Sequence, residues 1–263
     1  MAKKRVTLPK EFKDLMDEGN IEALKAVYDR CELTAHDGRF SLCTPLHMGG
    51  VPDELVIWLV EQGLDINIPD YYGATPLYRQ AILGRDTVKL LCELGADIEK
   101  PNTYGDTPLH MAAEFFHPRT VKFLIDKGAN VNAKNDMGRT PLASVLMVCR
   151  GIYIAQTAEI ASMLLDAGAK KTSKMKERVE QIGKDFEFHR ESIHPDYIEG
   201  ADKGLAKLYE LFDVKPVAKR ITHDGVSPIL VKEGSWEERY EELWSFLIPS
   251  SGAAKTVQGE VIR

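Results

Sequence analysis

Apolar residues recur at helical spacing along most of the chain, first in short segments and later in longer ones. Residues 10–32 carry two short amphipathic patterns that break at Gly19–Asn20. Beyond residue 173 the pattern lengthens, and Met175, Val179, Ile182 and Phe186 fall on one face of a predicted helix. The spacing therefore predicts an all-α protein with many short helices followed by a few long ones.

A short motif returns four times within the first two thirds of the chain. The strings CTPLHMGG, ATPLYRQA, DTPLHMAA and RTPLASVL place its threonine at Thr44, Thr75, Thr107 and Thr140, with separations of 31, 32 and 33 residues. Each motif is followed by a similar closing string, such as EQGLDINIPD at 61–70 and DKGANVNAKN at 126–135. Self-similarity at this period is typical of a solenoid built from one repeated unit.

The motif has the chemistry of a helix start. Thr107 is an N-cap residue type, and Pro108 fits the first helical position, where its fixed φ is an advantage and its missing N–H is harmless. The small side chains of Ala112 and Ala113 allow neighbouring helices to pack closely. Gly128 ends the second helix, because glycine adopts the left-handed conformation without a Cβ penalty.

On these residues the chain resembles the ankyrin-repeat family, whose units carry TPLH near the start of a first helix. The resemblance covers about residues 10–172 and is closest in NTYGDTPLHMAAEFFHPRTVKFLIDKGANVNAK. It implies about five helix-turn-helix units with outward turns, residues 10–32 being the N-terminal capping unit, and inter-unit hydrogen bonds from His47 and His110. The unit after Thr44 is irregular, and the last one has extra residues near VCRGIYIAQT that lengthen its loop or extend its first helix.

The resemblance also implies a concave binding surface formed by the turn tips and the exposed face of each first helix. The tip positions are Tyr71, Tyr72 and Ala74, then Thr103, Tyr104 and Asp106, then Asp136, Met137 and Arg139. The helix-face positions are Ile82, Leu83, Glu114 and Phe115. Tyrosine, phenylalanine, methionine and arginine are enriched where proteins contact each other, so these positions are the candidate protein-binding residues.

Residues 173–263 are expected to form a smaller helical domain of unidentified family. The string YIEGADKGLAKLYELF at 197–212 predicts a second long helix, and Ser235 with Glu238 forms a capping-box pattern before a third helix that buries Leu243, Trp244 and Leu247. The tail SSGAAKTVQGEVIR is interpreted as a fourth helix with Ala253, Val257 and Val261 in register. It ends without a cap, which leaves open whether further residues follow.

Composition narrows the range of partners. The net charge of −6 and the pI near 5.7 disfavour nucleic acid as a partner, because binding its phosphate backbone needs a basic face. No apolar run is long enough for a signal peptide or a bilayer span. The basic residues of segment 1–9 are interpreted as a flexible solvated tail. Four scattered cysteines indicate free thiols, and we expect a cytoplasmic monomer.

Candidate chemistry is sparse. His189, His194 and His223, with Glu191, Asp196 and Asp224 near them in sequence, form the one group that resembles a metal or hydrolytic site, but their spacing matches no ligand signature. SSGAAKT lacks the glycines of a phosphate-binding loop. We therefore expect no catalytic residue, no metal and no cofactor.

The sequence favours a non-catalytic scaffold or adaptor that recognises a protein partner through the concave face. Two alternatives stay open. In one, the helical C-terminal domain is a catalytic or metal-dependent module and the repeats set substrate choice. In the other, the chain is an antitoxin or immunity-type binding protein.

Overall fold

The computed structural model describes residues 3–223, 226–231, 233–248, 254 and 258–259. The chain divides into two compact units, which are described separately. The first unit runs through Val148 and also includes Glu159–Lys170, and the second comprises Cys149–Ala158 and the chain from Lys171 onward. Helices dominate the described residues, so the all-α prediction is confirmed. None of the described helices combines the length and apolar character needed to cross a membrane.

The first unit consists of short helices and one pair of short strands. Its elements are β1 (Arg5–Thr7), α1 (Phe12–Asp17), α2 (Ile21–Ala26), β2 (Cys31–His36), α3 (Asp53–Glu61), α4 (Pro76–Leu83), α5 (Thr87–Glu93), α6 (Pro108–Glu114), α7 (Pro118–Asp126), α8 (Pro141–Val148) and the later part of α9 (Ile154–Asp166), with 3-10 turns at Val27–Asp29 and Pro45–His47.

The three regular motif helices begin where the sequence predicts. Proline is the first residue of α4, α6 and α8, directly after Thr75, Thr107 and Thr140. Helix α4 packs against α6, and α6 packs against α8. The motif leucines Leu77, Leu109 and Leu142 are almost completely buried in this row of helices. The repeated threonine, proline and leucine therefore make the same local structure three times.

The two ends of the repeated series differ from its middle. After Thr44 the motif forms a single 3-10 turn at Pro45–His47, where Gly49–Gly50 replaces the alanine pair and weakens helix formation. In the last repeat the extra residues form a 3-10 turn at Gly151–Tyr153 and lengthen the second helix, α9, to 13 residues. Of the two predicted alternatives, a longer loop and a longer first helix, the structure therefore shows the longer loop. The first helix of this repeat, α8, has 8 residues, close to the 7 residues of α6.

The strand pair β1–β2 is a feature that the sequence analysis did not foresee. Arg5 pairs with Cys31 and Thr7 with His36 in parallel, with an irregularity between the two pairs. Arg5–Thr7 lies in the segment interpreted as a flexible tail, yet the backbone N–H of Arg5 donates to the carbonyl of Arg30 at 2.9 Å and that of Leu8 to the carbonyl of His36 at 2.8 Å. The described start of the chain is therefore hydrogen-bonded to the first unit.

The second unit is built from long helices. Its elements are the start of α9, the 3-10 turns Gly151–Tyr153 and Arg190–Ser192, and helices α10 (Ser173–His189), α11 (Pro195–Phe212) and α12 (Trp236–Leu247). The predicted face of Met175, Val179, Ile182 and Phe186 is buried in α10. The segment between α11 and α12 contains no strand among its described residues.

Close packing of two helices in this unit depends on a glycine, which has no side chain. A Cβ at Gly204 of α11 would lie 2.8 Å from the Cα of Ala155, so only glycine lets α11 approach the start of α9.

The capping box of α12 forms as predicted: the backbone N–H of Glu238 donates to Ser235 Oγ at 3.2 Å, and Ser235 N–H donates to Glu238 Oε2 at 2.9 Å. The prediction of a buried Leu243, Trp244 and Leu247 is correct only for Leu247, because the other two are half-buried. The predicted fourth helix, with Ala253, Val257 and Val261, lies outside the described residues.

Candidate protein-binding surface

Most of the predicted binding positions lie at the surface of the first unit. Tyr71, Tyr104 and Met137 are 65%, 60% and 76% exposed. We call the twelve candidate binding positions the tip-and-helix surface. Its exposed members are Tyr71, Tyr72, Leu83, Thr103, Tyr104, Phe115, Asp136 and Met137, and its half-buried members are Ile82, Asp106, Glu114 and Arg139. Ala74, also placed at a tip, is buried and does not belong to this surface.

One side chain in each repeat fixes the shape of the tip. The Oδ1 atoms of Asp70, Asn102 and Asn135 each accept two backbone N–H groups, from the residues two and four positions later, at 2.8–3.1 Å. Side chains of this type close turns in this way because their oxygen reaches the backbone two residues on. The tips therefore have a backbone held from within each repeat.

Successive tips are also bonded to each other. The backbone N–H of Tyr71 donates to the carbonyl of Ser41 at 2.9 Å, that of Thr103 to Tyr72 at 3.0 Å, and that of Asp136 to Tyr104 at 3.0 Å. These bonds join equivalent positions of neighbouring repeats. They keep the exposed rings in a fixed order along the surface.

The two motif histidines connect the repeats beneath the tips. His110 Nδ1 accepts the backbone N–H of Thr107 at 3.2 Å, so Nε2 carries the hydrogen and donates to the carbonyl of Arg139 at 3.0 Å. His47 bonds in the same way to Thr44 and to the carbonyls of Ile68 and Ala74. Burial lowers the pKa of both histidines, so the neutral form is favoured. The predicted hydrogen bonds of the motif histidines to the neighbouring repeat are observed.

Charges near the tips are partly compensated. Asp70 is buried and pairs with Arg79, whose Nε donates to Oδ2 at 2.8 Å, and the Arg79 guanidinium lies 6.0 Å from the centre of the Tyr72 ring. Asn135 Nδ2 donates to Asp106 Oδ1 at 2.7 Å. Burial raises the pKa of Glu114, and the negative charge of Asp106 adds to this effect. The surface is therefore aromatic and polar together.

Sequence reasoning missed two apolar residues that continue this surface. Phe40 is 92% exposed, and Met147 on α8 is also exposed. Phe40 lies four residues before Thr44, as Tyr71 lies four residues before Thr75. That equivalence was available in the sequence but was obscured because Leu42, with φ of 54°, stands where the repeat pattern expects glycine.

The histidines proposed as a metal or hydrolytic site have other surroundings. The His189 ring packs against Phe188 with centroids 4.9 Å apart, and His194 accepts the backbone N–H of Asp196 at the start of α11. His223 is buried, and its ring packs against Phe246. Asp224 lies outside the described residues. Within the part of the chain that the structure describes, no group of three or more His, Cys, Asp or Glu could hold a metal ion.

Comparison with known proteins identifies one repeat directly. The ankyrin-repeat family model matches residues 104–136, the segment from the tip at Tyr104 through α6 and α7 to the next tip. An ankyrin repeat therefore occupies this segment. Such repeats are typically non-enzymatic modules that bind other proteins. The comparison with curated proteins found no match to the chain.

Proposed function

We propose that the protein is a non-catalytic scaffold or adaptor that binds a protein partner through the tip-and-helix surface. The observation that carries this proposal is the row of exposed aromatic and sulfur-containing side chains on consecutive, mutually bonded tips. Large apolar groups that stay this exposed add little to the core of the free protein, and contiguous exposed apolar patches mark sites of interaction. The repeats over residues 10–172 are the proposed binding domain.

The fixed backbone of the tips also supports this role. Because the tip amides are bonded by Asp70, Asn102 and Asn135 and by the neighbouring tips, binding does not have to order a loop. Tyrosine presents a large contact area with few rotatable bonds, and preorganised aromatic side chains often dominate interface energies. We propose Tyr72, Tyr104 and Phe115 as the main contact residues, with Phe40 and Met147 extending the surface.

The test is a triple variant, Tyr72→Ala, Tyr104→Ala and Phe115→Ala, compared with the unaltered protein in affinity capture with quantitative mass spectrometry. We expect the triple variant to lose the proteins that the unaltered chain enriches, by about tenfold or more, since one hot-spot side chain is worth about 2 kcal/mol or more. The matched control is Lys122→Ala on α7, which changes an exposed side chain of the second helix in the same repeat.

Equal enrichment of every captured protein by the triple variant and by Lys122→Ala would contradict the proposal. Circular dichroism of both variants checks that the fold is retained. We further propose that the protein acts as a monomer in the cytoplasm, with no nucleic acid, membrane or cofactor as partner; its acidic charge and scattered cysteines support this setting.

A further inference from the structure

A second surface lies on α12, in the other unit, and is unrelated to the repeats. Trp236, Tyr240 and Trp244 follow one another at intervals of four residues, which places them on one stripe of the helix. Trp236 is 70% exposed, Tyr240 is exposed and Trp244 is half-buried. Trp236 and Tyr240 lie on an exposed helix face, outside the core, so their exposure needs another explanation.

Two of these rings and a carboxylate form a defined cleft. The Tyr240 and Trp244 rings are nearly parallel, with an interplanar angle of 30° and centroids 6.3 Å apart. Tyr240, Glu241 and Trp244 line an open cleft of about 310 Å³. Ring faces attract cations within about 6 Å of their centres, and a carboxylate beside them adds a counter-charge.

The charges of the helix also favour a cationic occupant. Helix α12 carries Glu237, Glu238, Glu241 and Glu242 against the single cation Arg239. Arg239 Nε donates to the carbonyl of Gly234 at the start of the helix. The nearby Lys184 forms its ion pair with Glu180 at 2.7 Å, and both glutamates, Glu180 and then Glu241, raise its pKa. The exposed side of α12 is therefore aromatic and acidic.

We propose that Tyr240, Glu241 and Trp244 bind an arginine side chain presented by a basic segment of a protein partner. The planar guanidinium stacks on the two rings at the mouth of the cleft and donates to the Glu241 carboxylate. Arginine suits this site because its delocalised cation both stacks on aromatic faces and pairs with a carboxylate. A bilayer surface fits less well, because Glu237 and Glu241, the glutamates beside the rings on the helix surface, repel anionic headgroups.

The experiment titrates the full chain with the peptide acetyl-Gly-Gly-Arg-Gly-Gly-amide and follows the tryptophan indole resonances by NMR. The neutral isostere with citrulline in place of arginine is titrated in parallel. We expect the Trp244 indole signal to move with a dissociation constant on the order of 1 mM, the signal of Trp58 to stay in place, and the citrulline peptide to bind at least about 3-fold more weakly.

Two variants test the residues, and a third controls for charge. Tyr240→Leu and Glu241→Gln should each weaken the arginine peptide by about 3-fold or more. Glu22→Gln removes the same charge from an exposed side chain on α2 and should leave the affinity unchanged. Equal binding of the arginine and citrulline peptides, or Glu241→Gln behaving like Glu22→Gln, would overturn the proposal.

Two other occupants are distinguished by separate measurements. Insertion of the Trp236–Tyr240–Trp244 stripe into phosphatidylcholine vesicles would give a blue shift of tryptophan fluorescence that Trp236→Leu removes. If this shift occurs and the arginine peptide does not bind, the surface binds membranes and the proposal of a basic peptide is wrong. Self-association that Tyr240→Leu abolishes in sedimentation experiments, again without a response to arginine, would replace it by a second copy. Neither measurement involves the tip-and-helix surface, so this inference can fail independently of the proposed function.

Discussion

Replacement of His110 by alanine tests whether the bonds beneath the tips hold the repeats together. His110 is completely buried, and its two ring nitrogens connect the start of α6 with the Arg139 carbonyl of the next tip. Alanine removes both connections. It also leaves the buried backbone N–H of Thr107 without the acceptor that the structure gives it.

The size of the effect follows from the individual contacts. An unsatisfied buried N–H costs about 1–3 kcal/mol. The Arg139 carbonyl keeps the N–H of Asn135 at 3.0 Å, so losing its second donor adds less, about 0.5 kcal/mol. The void left by the ring adds about 1 kcal/mol at roughly 24 cal/mol per Å³. We therefore expect His110→Ala to lower the free energy of unfolding by about 2.5–4.5 kcal/mol.

The assay is urea unfolding followed by circular dichroism at 222 nm. The control is Tyr78→Phe at the equivalent position of the preceding repeat, where Asn102 Nδ2 donates to the Tyr78 hydroxyl at 2.8 Å. That variant keeps the ring and should lose about 0.5–1.5 kcal/mol. If His110→Ala loses less than about 1 kcal/mol, or no more than Tyr78→Phe, the bridging role assigned to the histidine is wrong.

Two further predictions concern pH and packing. Because burial lowers the pKa of His47 and His110, the folded state binds fewer protons than the unfolded state. The stabilising contribution of the neutral histidines should therefore be complete above the unfolded histidine pKa of about 6.5 and should fall as pH decreases toward the folded pKa values. The urea midpoints measured at pH 7.5 and 5.0 should differ less in the double variant His47→Gln, His110→Gln than in the unaltered protein. An equal difference in the two proteins would contradict this assignment. In the second unit, Gly204→Ala places a Cβ 2.8 Å from the Cα of Ala155, whereas the Cβ of Gly200→Ala lies 3.9 Å from Ala155 Cβ. In thermal unfolding, the first variant should lose about 1–3 kcal/mol of stability, and the second should gain up to about 1 kcal/mol. Similar stabilities of the two variants would refute the packing argument.

The repeats could be predicted because their signals are local. The threonine and proline of the motif start a helix at Thr75, Thr107 and Thr140, and the left-handed φ of 89° at Gly128 is available to glycine at little cost. The same chemistry repeated at a fixed period gives the order of helices α4 to α8. Residues in irregular repeats were harder to predict, as Phe40 shows, because the pattern that identifies equivalent positions is disturbed there.

Structural features that depend on contacts between residues far apart in sequence could not be predicted from the sequence. Strand β1 exists only through its pairing with Cys31–His36, more than twenty residues away, and its three residues RVT carry no strand period of their own. In α12 the apolar residues form two neighbouring stripes, one through Leu243 and Leu247 and one through Trp236, Tyr240 and Trp244. Which stripe faces the core is decided by tertiary packing, and the structure buries Leu247 while exposing Trp236.

In the first unit, the groups that hold the tip backbone are separate from the exposed rings, so the rings should be replaceable without loss of the fold. The tip backbone is bonded by the side chains of Asp70, Asn102 and Asn135 and by neighbouring backbone groups, so the tyrosine rings contribute none of the bonds that hold it. A surface side chain that makes few contacts costs little to replace, typically within about 0.5 kcal/mol. The ring positions are therefore free to be set by what they contact, whereas the turn-closing and histidine positions are set by the fold.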